Sequence, residues 1–213
     1  MNEEINKFLD EHIDHYPDFV PERIRNKIHY GYHSDTDQII CHLGLIEEKE
    51  SAYYKFMQLI LENWNIKNKS IVEVSCGLIP ILSSLLQSKC KKITAINKDF
   101  VFENYKNVET IRYDLNLKFD FTDYDLVVGF RPCTPTENII DLCLSQRKDF
   151  AIYLCPCLPP AKDDNNFKSS EEYHNYLIEK IKNDKNVNLK VIRNHNLQDE
   201  MPVLICQRKK KAD

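Results

Sequence analysis

The sequence predicts an α/β protein with a seven-stranded, mostly parallel sheet, an antiparallel last strand and a helical N-terminal extension. From about residue 70 onward, strand-like apolar runs alternate with helical patterns, an order typical of parallel strands joined by crossover helices. Runs such as YDLVVGF are apolar on both faces, as a sheet covered by helices requires. Only Asn194–Pro202 separates the last two predicted strands, which is too short for a parallel crossover. The final strand should therefore run antiparallel to its neighbour.

The individual elements follow from short apolar runs bounded by polar or turn residues. The predicted strands, in chain order, are Ser70–Ser75, Lys92–Asn97, Glu109–Asp114, Tyr124–Arg131, Phe150–Cys155, Asn188–Arg193 and Val203–Arg208. Helices are predicted over Pro80–Gln87, Asp99–Tyr105, Pro135–Gln146 and Ser170–Asn183. Thr134 is the expected N-cap of the third of these helices, with Pro135 in its first turn.

The first 69 residues have a different pattern from the rest of the chain. EEINKFLDEHI and ESAYYKFMQLILENW both have helical spacing, and in the second of them Tyr54, Met57, Leu61 and Trp64 fall near one face. We therefore expect residues 1–69 to form a helical extension that packs on, or over, the edge of the sheet. Residues 70–213 would form the α/β domain.

Composition excludes several classes of protein. The chain has 213 residues, a net charge of -4, 42% hydrophobic and 29% charged residues, which is typical of a globular protein. No apolar run approaches the roughly 20 residues of a membrane helix, and the acidic N-terminus is unlike a signal peptide, so the cytoplasm is the expected location. The eight cysteines are then expected to be reduced thiols. The basic run Arg208–Lys211 is most simply a solvated end, which gives only weak support for nucleic-acid binding.

The turn after the first strand is the most informative segment. It reads Glu73-Val74-Ser75-Cys76-Gly77 and contains a single glycine. A dinucleotide site needs a G-x-G-x-x-G turn so that backbone amides can approach a pyrophosphate, and a P-loop needs Gly-Lys-Ser/Thr. Neither pattern is present here. Because ligands of open α/β sheets bind at the carboxyl ends of the strands, this turn favours a ligand without phosphates.

The turn and the segments that follow it resemble the class I S-adenosylmethionine-dependent methyltransferases, which have a Rossmann-like fold. Their first motif, an acidic residue followed by x-G-x-G, corresponds to residues 73–77, and the resemblance continues through ITAIN, RYDLN and YDLVVGFRPC. It covers about Ser70 to Arg208. It implies that the cofactor is S-adenosylmethionine and that the reaction is methyl transfer to an acceptor that the sequence does not name.

Cofactor-binding roles are implied by the same resemblance. Gly77, with Ser75 and Cys76 beside it, would let the backbone approach the methionine portion, and Glu73 would lie near the ammonium group. The remaining positions lie at or after the ends of the next strands. Asn97 would lie at the ribose, Asp99 would compensate for its missing charge from the start of the following helix, and Asp114 would lie at the adenine amino group. Phe130 to Cys133 would form a floor beside the methyl group.

Two departures from the family pattern leave other functions open. Ser75 stands where a glycine is usual, so the turn is expected to keep an unstrained backbone there. Asn97 stands where an acidic residue is usual and brings no charge to the ribose. One alternative is therefore a non-catalytic binding or scaffold protein on a degenerate methyltransferase fold. Another is an aminocarboxypropyl transferase similar to nicotianamine synthase, whose first turn also carries a proline near the position of Pro80.

Substrate contacts are predicted after the fourth strand. Arg131 stays protonated and would hold a carboxylate or phosphate of the acceptor, or else form a salt bridge to a neighbouring loop. Cys133 would line the same region. Cys76, Cys133, Cys155 and Cys157 all follow strands, but residues one apart often point to opposite faces of a strand, so no metal site is predicted. The histidines and tyrosines of HYGYH, residues 29–33, are either a polar surface or a lid over the cofactor.

Overall fold

The computed structural model describes residues 2–16, 21, 34–102, 104–158, 167–193, 197 and 200–209. These residues form one seven-stranded sheet with the strand order β3-β2-β1-β4-β5-β7-β6. Its strands are β1 (Ser70–Val74), β2 (Lys92–Asn97), β3 (Glu109–Arg112), β4 (Leu126–Phe130), β5 (Asp149–Tyr153), β6 (Val187–Ile192) and β7 (Val203–Arg208). All seven predicted strands are confirmed, with end points that differ by two residues or fewer.

Strand direction follows the sequence prediction. The pairs β1–β2, β1–β4, β2–β3 and β4–β5 are parallel. The last strand, β7, lies between β5 and β6 and is antiparallel to both. The carboxyl ends of β1 to β5 therefore share one edge of the sheet, and strand order reverses between β1 and β4 on that edge. Ligands of open α/β sheets bind at such a reversal.

The described helices are α1 (Asn2–Glu11), α2 (Ser34–His42), α3 (Ala52–Asn63), α4 (Ile81–Leu86), α5 (Thr136–Ser145) and α6 (Ser170–Lys182). Strand residues alternate between the two faces of the sheet, as a pleated strand requires. Ile71, Val128 and Tyr153 pack with α1 to α4 on one face. Val72 and Phe150 pack with α5 and α6 on the other. The N-terminal helices thus share a core with a face of the sheet. None of the described helices is long and apolar enough to cross a membrane.

The prediction of a helix over Asp99–Tyr105 is wrong, because the residues described there form no α-helix. The Asp99 carboxylate accepts a hydrogen bond from the Phe100 N–H, and the Val101 N–H donates to the Leu78 carbonyl. These bonds compete with helical i to i−4 bonds. Asn104 has a positive φ of 52°, which also interrupts a helix. The segment instead contains a short 3-10 turn at Tyr105–Asn107.

The helical face predicted from Tyr54, Met57, Leu61 and Trp64 packs on the core. Met57 and Trp64 are buried, and Tyr54 and Leu61 are partly buried against the same cluster. The helix α3 also buries Ala52, Tyr53, Phe56 and Ile60.

One smaller prediction is corrected. The helix after β4 has its N-cap at Pro135, without a side-chain cap, and not at Thr134. The turn before it is closed by the Thr136 hydroxyl, which donates to the Cys133 carbonyl over 2.6 Å.

Candidate functional site

The bend after β1 has left-handed backbone at two positions. Gly77 has a φ of 74° and Ser75 a φ of 50°. The expectation of an unstrained backbone at Ser75 is therefore wrong, because serine here adopts the conformation that a glycine would adopt at less cost. A non-glycine residue in this region costs roughly 1–2 kcal/mol. The chain needs this conformation to leave the strand and enter α4 within a few residues.

The side-chain amide of Gln38 in α2 fills the bend. Its Nε2 donates to the Cys76 carbonyl over 2.9 Å, and its Oε1 accepts from the Ile79 N–H over 3.0 Å. A Cβ built on Gly77 would lie 1.9 Å from Gln38 Nε2, so a glycine is required at residue 77 for this contact. The sequence reasoning missed Gln38, which no motif marks. The predicted lid over this turn, residues 29–33, lies outside the described residues, but α2 begins directly after it.

Glu73 is fully buried at the centre of the sheet. Its Oε2 accepts from both the backbone N–H and the hydroxyl of Ser83, over 2.8 Å and 2.5 Å. Among the described residues, Oε1 has no hydrogen-bond partner. Burial raises the pKa of the Glu73 carboxyl to about 7, although the two bonds from Ser83 lower it. Glu73 thus joins β1 to α4, and its predicted contact with an ammonium group stays a prediction.

Arg131 lies beneath α2, next to the bend. Its guanidinium is 3.9 Å from the Asp37 carboxylate, and both side chains are at most 3% exposed. It also lies over the Tyr153 ring, 5.0 Å from the centroid, and donates to the Tyr153 hydroxyl over 3.4 Å. Phe130 packs in the core, stacked on Tyr53 at 4.0 Å. The structure therefore shows the alternative in which Arg131 forms a salt bridge. Its partner, Asp37, lies in helix α2 and not in a loop.

The ends of β2 and β3 are more exposed. Asn97 donates to the Asp99 carbonyl over 2.8 Å, and the Asp99 carboxylate pairs with Arg112. Asp114 pairs with Lys98 over 2.9 Å and accepts from the Asn116 N–H within a turn. These partners, Lys98 first, lower the pKa of the Asp114 carboxyl to about 2. Asp114 is thus a turn-forming residue as well as the predicted adenine contact.

Three of the four cysteines considered above come together. The sulfur atoms of Cys133, Cys155 and Cys157 lie within 4.8 Å of one another. Cys76 packs elsewhere, with Ala95, Phe100 and Val108. The neighbouring thiols of Cys155 and Cys157 raise the pKa of the Cys133 thiol. The expected separation onto opposite faces fails because β5 ends at Tyr153, so Cys155 and Cys157 lie in a turn where strand alternation does not hold.

The reversal point of the sheet therefore offers a backbone acceptor and donor at the bend, buried charges beneath α2, and exposed polar groups at the ends of β2 and β3. A backbone acceptor and donor can hold the ammonium and carboxylate of an amino acid. Amide and carboxylate side chains can hold the hydroxyls and amino group of a nucleoside. The described residues at this edge thus have the donors and acceptors needed for a ligand that joins an amino acid to a nucleoside.

Solved structures with the same fold have been described as methyltransferases. The chain is similar to an S-adenosylmethionine-dependent methyltransferase from Aquifex aeolicus, with a TM-score of 0.51, 12% identity and coverage of 82% of this chain and 97% of that one. It is also similar to a protein of Methanococcus maripaludis proposed to be such an enzyme, with a TM-score of 0.53, 12% identity and coverage of 84% and 93%.

A third similar structure is phosphoethanolamine N-methyltransferase 1 of Haemonchus contortus, in complex with phosphoethanolamine and S-adenosylhomocysteine. Its TM-score is 0.52 at 12% identity, over 100% of this chain and 50% of that one. No protein-family model and no curated protein matches the sequence. The structural likenesses confirm that this chain has the Rossmann-like fold of the class I S-adenosylmethionine-dependent methyltransferases.

Proposed function

We propose that this protein is an S-adenosylmethionine-dependent methyltransferase. The observation that carries the proposal is the amide of Gln38 in the bend after β1. An amide has one N–H donor group and one carbonyl acceptor, and it is bound here by the Cys76 carbonyl and the Ile79 N–H. An α-amino-acid group has the same two functions, an ammonium donor and a carboxylate acceptor. The bend therefore supplies the partners that the methionine portion of the cofactor needs.

The exposed half of the edge supports the nucleoside portion. Asn97 is the last residue of β2 and Asp114 lies two residues after the end of β3; both strands lie on the side of β1 away from β4. In this proposal the carboxamide of Asn97 binds a ribose hydroxyl and the Asp114 carboxylate accepts from the adenine amino group. When bound, S-adenosylmethionine would supply an electrophilic methyl group. The bend after β1, Asn97 and Asp114 would hold and orient the cofactor. Positioning of this kind accounts for much of the rate of a transfer between two bound groups.

Access to the bend requires Gln38 to withdraw. Its amide uses the same backbone groups that the methionine portion would use, so cofactor and side chain exclude each other. Binding must therefore break two hydrogen bonds, each with a net contribution of roughly 1 kcal/mol. Rotation of the Gln38 side chain, or a displacement of α2, would open the bend.

A second function, a non-catalytic binding or scaffold protein, is favoured by the same contact. Gln38 is only 3% exposed, and the neighbouring Asp37 and Arg131 form a buried ion pair that holds α2 against the sheet. If Gln38 stays bound in the presence of the cofactor, the bend only fixes α2 to the sheet and binds no ligand. The two functions differ in one measurable property, which is whether the bend can exchange Gln38 for a ligand.

Calorimetric titration with S-adenosylmethionine, S-adenosylhomocysteine and NAD separates the functions. We expect micromolar binding of the first two and none of NAD. Asp114→Ala should weaken that binding about tenfold, because a hydrogen bond to a charged acceptor is lost. Asp120→Ala is the matched control, since Asp120 also accepts a backbone N–H within a turn, that of Thr122. Binding of NAD alone would overturn the proposal, and binding of none of the three supports the scaffold.

A further inference from the structure

We propose that Cys133, Cys155 and Cys157 form a binding site for one thiophilic metal ion, of the class to which Zn²⁺ belongs. This proposal does not depend on the proposed function, because none of the three thiols is among the groups that would hold the methionine and nucleoside portions of the cofactor, although Cys133 is also a predicted substrate contact. Soft thiolate ligands select zinc, copper(I) and iron–sulfur clusters over magnesium or calcium. Three thiols close together are therefore a selective donor set.

The distances between the sulfur atoms fit a single ion. A zinc–sulfur bond of about 2.3 Å places two tetrahedral sulfur ligands about 3.8 Å apart. All three sulfur atoms here lie within 4.8 Å of one another, and the Sγ atoms of Cys133 and Cys155 are 3.0 Å apart. The Cys133–Cys155 separation is about 0.8 Å shorter than this ideal value, and no separation exceeds it by more than about 1 Å. Small rotations about the Cα–Cβ bonds are enough to bring the three sulfur atoms to it.

The backbone brings the three thiols together. Phe130 and Tyr153 are register partners at the ends of the parallel strands β4 and β5, so the residues that follow them leave the sheet side by side. Cys133 has a φ of 53°, an uncommon conformation for a non-glycine residue, in the turn before α5. Strained positions of this kind cluster at functional sites.

The environment of the thiols also differs from that of a packed core. Cys157 is exposed, and Cys133 and Cys155 are partly exposed, whereas Cys143 and Cys206 are buried. The Cys157 N–H donates to Cys155 Sγ over 3.5 Å. Backbone N–H groups that donate to ligand sulfurs are a usual part of the outer shell of a metal–thiolate site. Small apolar packing, which explains the buried cysteines, does not explain this cluster.

Three protein ligands leave a fourth position on a tetrahedral ion. That position can take water or a donor atom of another molecule, as in zinc sites that keep one coordination position open. On binding, each thiol becomes a thiolate and its proton passes to solvent, so metal affinity should rise with pH. No redox change is required in this step.

Metal titration of the reduced full-length protein tests the proposal. Under anaerobic conditions, Co²⁺ should bind with one-to-one stoichiometry, give thiolate-to-cobalt charge-transfer absorption, and be displaced by Zn²⁺. Cys157→Ser should weaken Zn²⁺ binding at least about tenfold, because one of three ligands is lost. This variant changes an exposed residue and is expected to fold. Cys90→Ser, at a partly buried cysteine outside the cluster, is the matched control and should bind Zn²⁺ as the wild type does.

Thermal unfolding is a second readout that does not depend on the cobalt spectrum. An ion that binds only the folded state raises the melting temperature. At one fixed Zn²⁺ concentration, the ion should therefore raise it for the wild type and for Cys90→Ser, and by clearly less for Cys133→Ser or Cys157→Ser. Three outcomes overturn the proposal: no charge-transfer band, equal Zn²⁺ affinity in the cluster variants and the wild type, or a Cys133–Cys155 disulfide formed in air by a protein that takes up no metal when reduced. None of these three outcomes changes the result expected from the titration with S-adenosylmethionine, so the two proposals can fail independently.

Discussion

The two halves of the carboxyl edge of the sheet are built differently. Beside β1 and β4, the polar groups are buried under α2 and bonded to one another, as Gln38 with Cys76 and Asp37 with Arg131 illustrate. Beside β2 and β3, Asp114 and its partner Lys98 face solvent, with side-chain exposures of 29% and 76%. A ligand across this edge would thus meet one half that must open and one half that is already accessible.

The difference concerns energetics as much as access. Buried polar pairs are costly to disturb, because removal of one partner leaves the other without compensation in a medium of low dielectric constant. Exposed pairs contribute little, since water and salt screen them. Substitutions beside β1 and β4 should therefore have large effects on stability, and those beside β2 and β3 should mainly affect ligand affinity.

The largest expected effect is that of Asp37→Ala. It leaves the Arg131 guanidinium buried without its carboxylate neighbour and should lower the free energy of unfolding by about 3–5 kcal/mol. Urea denaturation measures this change. The matched control is Lys92→Ala, which breaks a pair of Lys92 and Glu109 that is about half exposed and should cost less than about 1 kcal/mol. Lys92 and Glu109 begin β2 and β3, at the opposite edge of the sheet, so this control compares a buried ion pair with an exposed one. Equal losses in the two variants would contradict the premise that burial makes the Asp37–Arg131 pair costly to disturb.

A pH-dependent effect is expected at Glu73. Its pKa is about 7 in the folded protein and 4.5 in the reference state, so the folded state binds more protons between these values. Its contribution to stability is therefore fully present below about pH 4.5 and is lost as the pH rises to about 7. The difference of about 2.5 pKa units corresponds to roughly 3 kcal/mol.

Glu73→Gln keeps the acceptor for Ser83 and removes the titration. Measured against the wild type, its free energy of unfolding should improve by roughly 3 kcal/mol between pH 4.5 and pH 8. Glu109→Gln is the contrasting control, because Lys92 and Thr94 lower the pKa of the Glu109 carboxyl. The contribution of Glu109 to stability is therefore present above about pH 4.5 and lost at lower pH, so this variant should change little against the wild type between pH 4.5 and pH 8. A constant difference between Glu73→Gln and the wild type over this pH range would show that Glu73 is not the group responsible.

An effect on affinity is expected at Gln38. Gln38→Ala removes the amide that competes for the Cys76 carbonyl and the Ile79 N–H, so S-adenosylmethionine should bind about tenfold or more tightly. Calorimetry gives the affinity directly. Gln87→Ala is the matched control, because the amide of Gln87 also donates to a backbone carbonyl, that of Asn107, at an exposed position. Weaker binding by Gln38→Ala would mean that Gln38 contacts the cofactor instead of excluding it.

The strands of the sheet could be predicted from the sequence, because each strand is marked by residues that are adjacent in the chain. Each strand is an apolar run, and the short connection before Val203–Arg208 requires an antiparallel strand, as observed. The same reasoning places Glu73, Asn97 and Asp114 at strand ends. Their roles toward a cofactor stay predictions.

The contacts within the edge were not predictable in the same way. Gln38 bonds residues that are 38 and 41 positions away. Asp37 meets Arg131 although the chain runs through β1 to β4 between them. Nothing in the pattern around α2 marks these side chains, because their partners are backbone groups or a single distant charge. The four cysteines were expected near the ends of adjacent strands, but a metal site was not predicted from them, for a related reason. Strand alternation was applied to Cys155 and Cys157, which lie beyond the end of β5.

The smallest expected effect concerns the backbone of the bend. Ser75 has a φ of 50°, a conformation that glycine adopts without strain. Ser75→Gly should therefore relieve roughly 1–2 kcal/mol of strain. Part of this gain is offset by roughly 0.5–1 kcal/mol, because glycine loses more conformational freedom on folding. The net increase in the free energy of unfolding should be about 0–1.5 kcal/mol.

Arg147→Gly is the matched control for Ser75→Gly, since Arg147 has a φ of 55° at an exposed position just after α5. Glycine is the favoured residue at such a helix end, so this variant should also gain stability. If Arg147→Gly is stabilised and Ser75→Gly is not, the serine side chain contributes enough at the bend to offset its strain. That result would make the departure from the usual glycine an adaptation of the buried half and not a sign of a degenerate site.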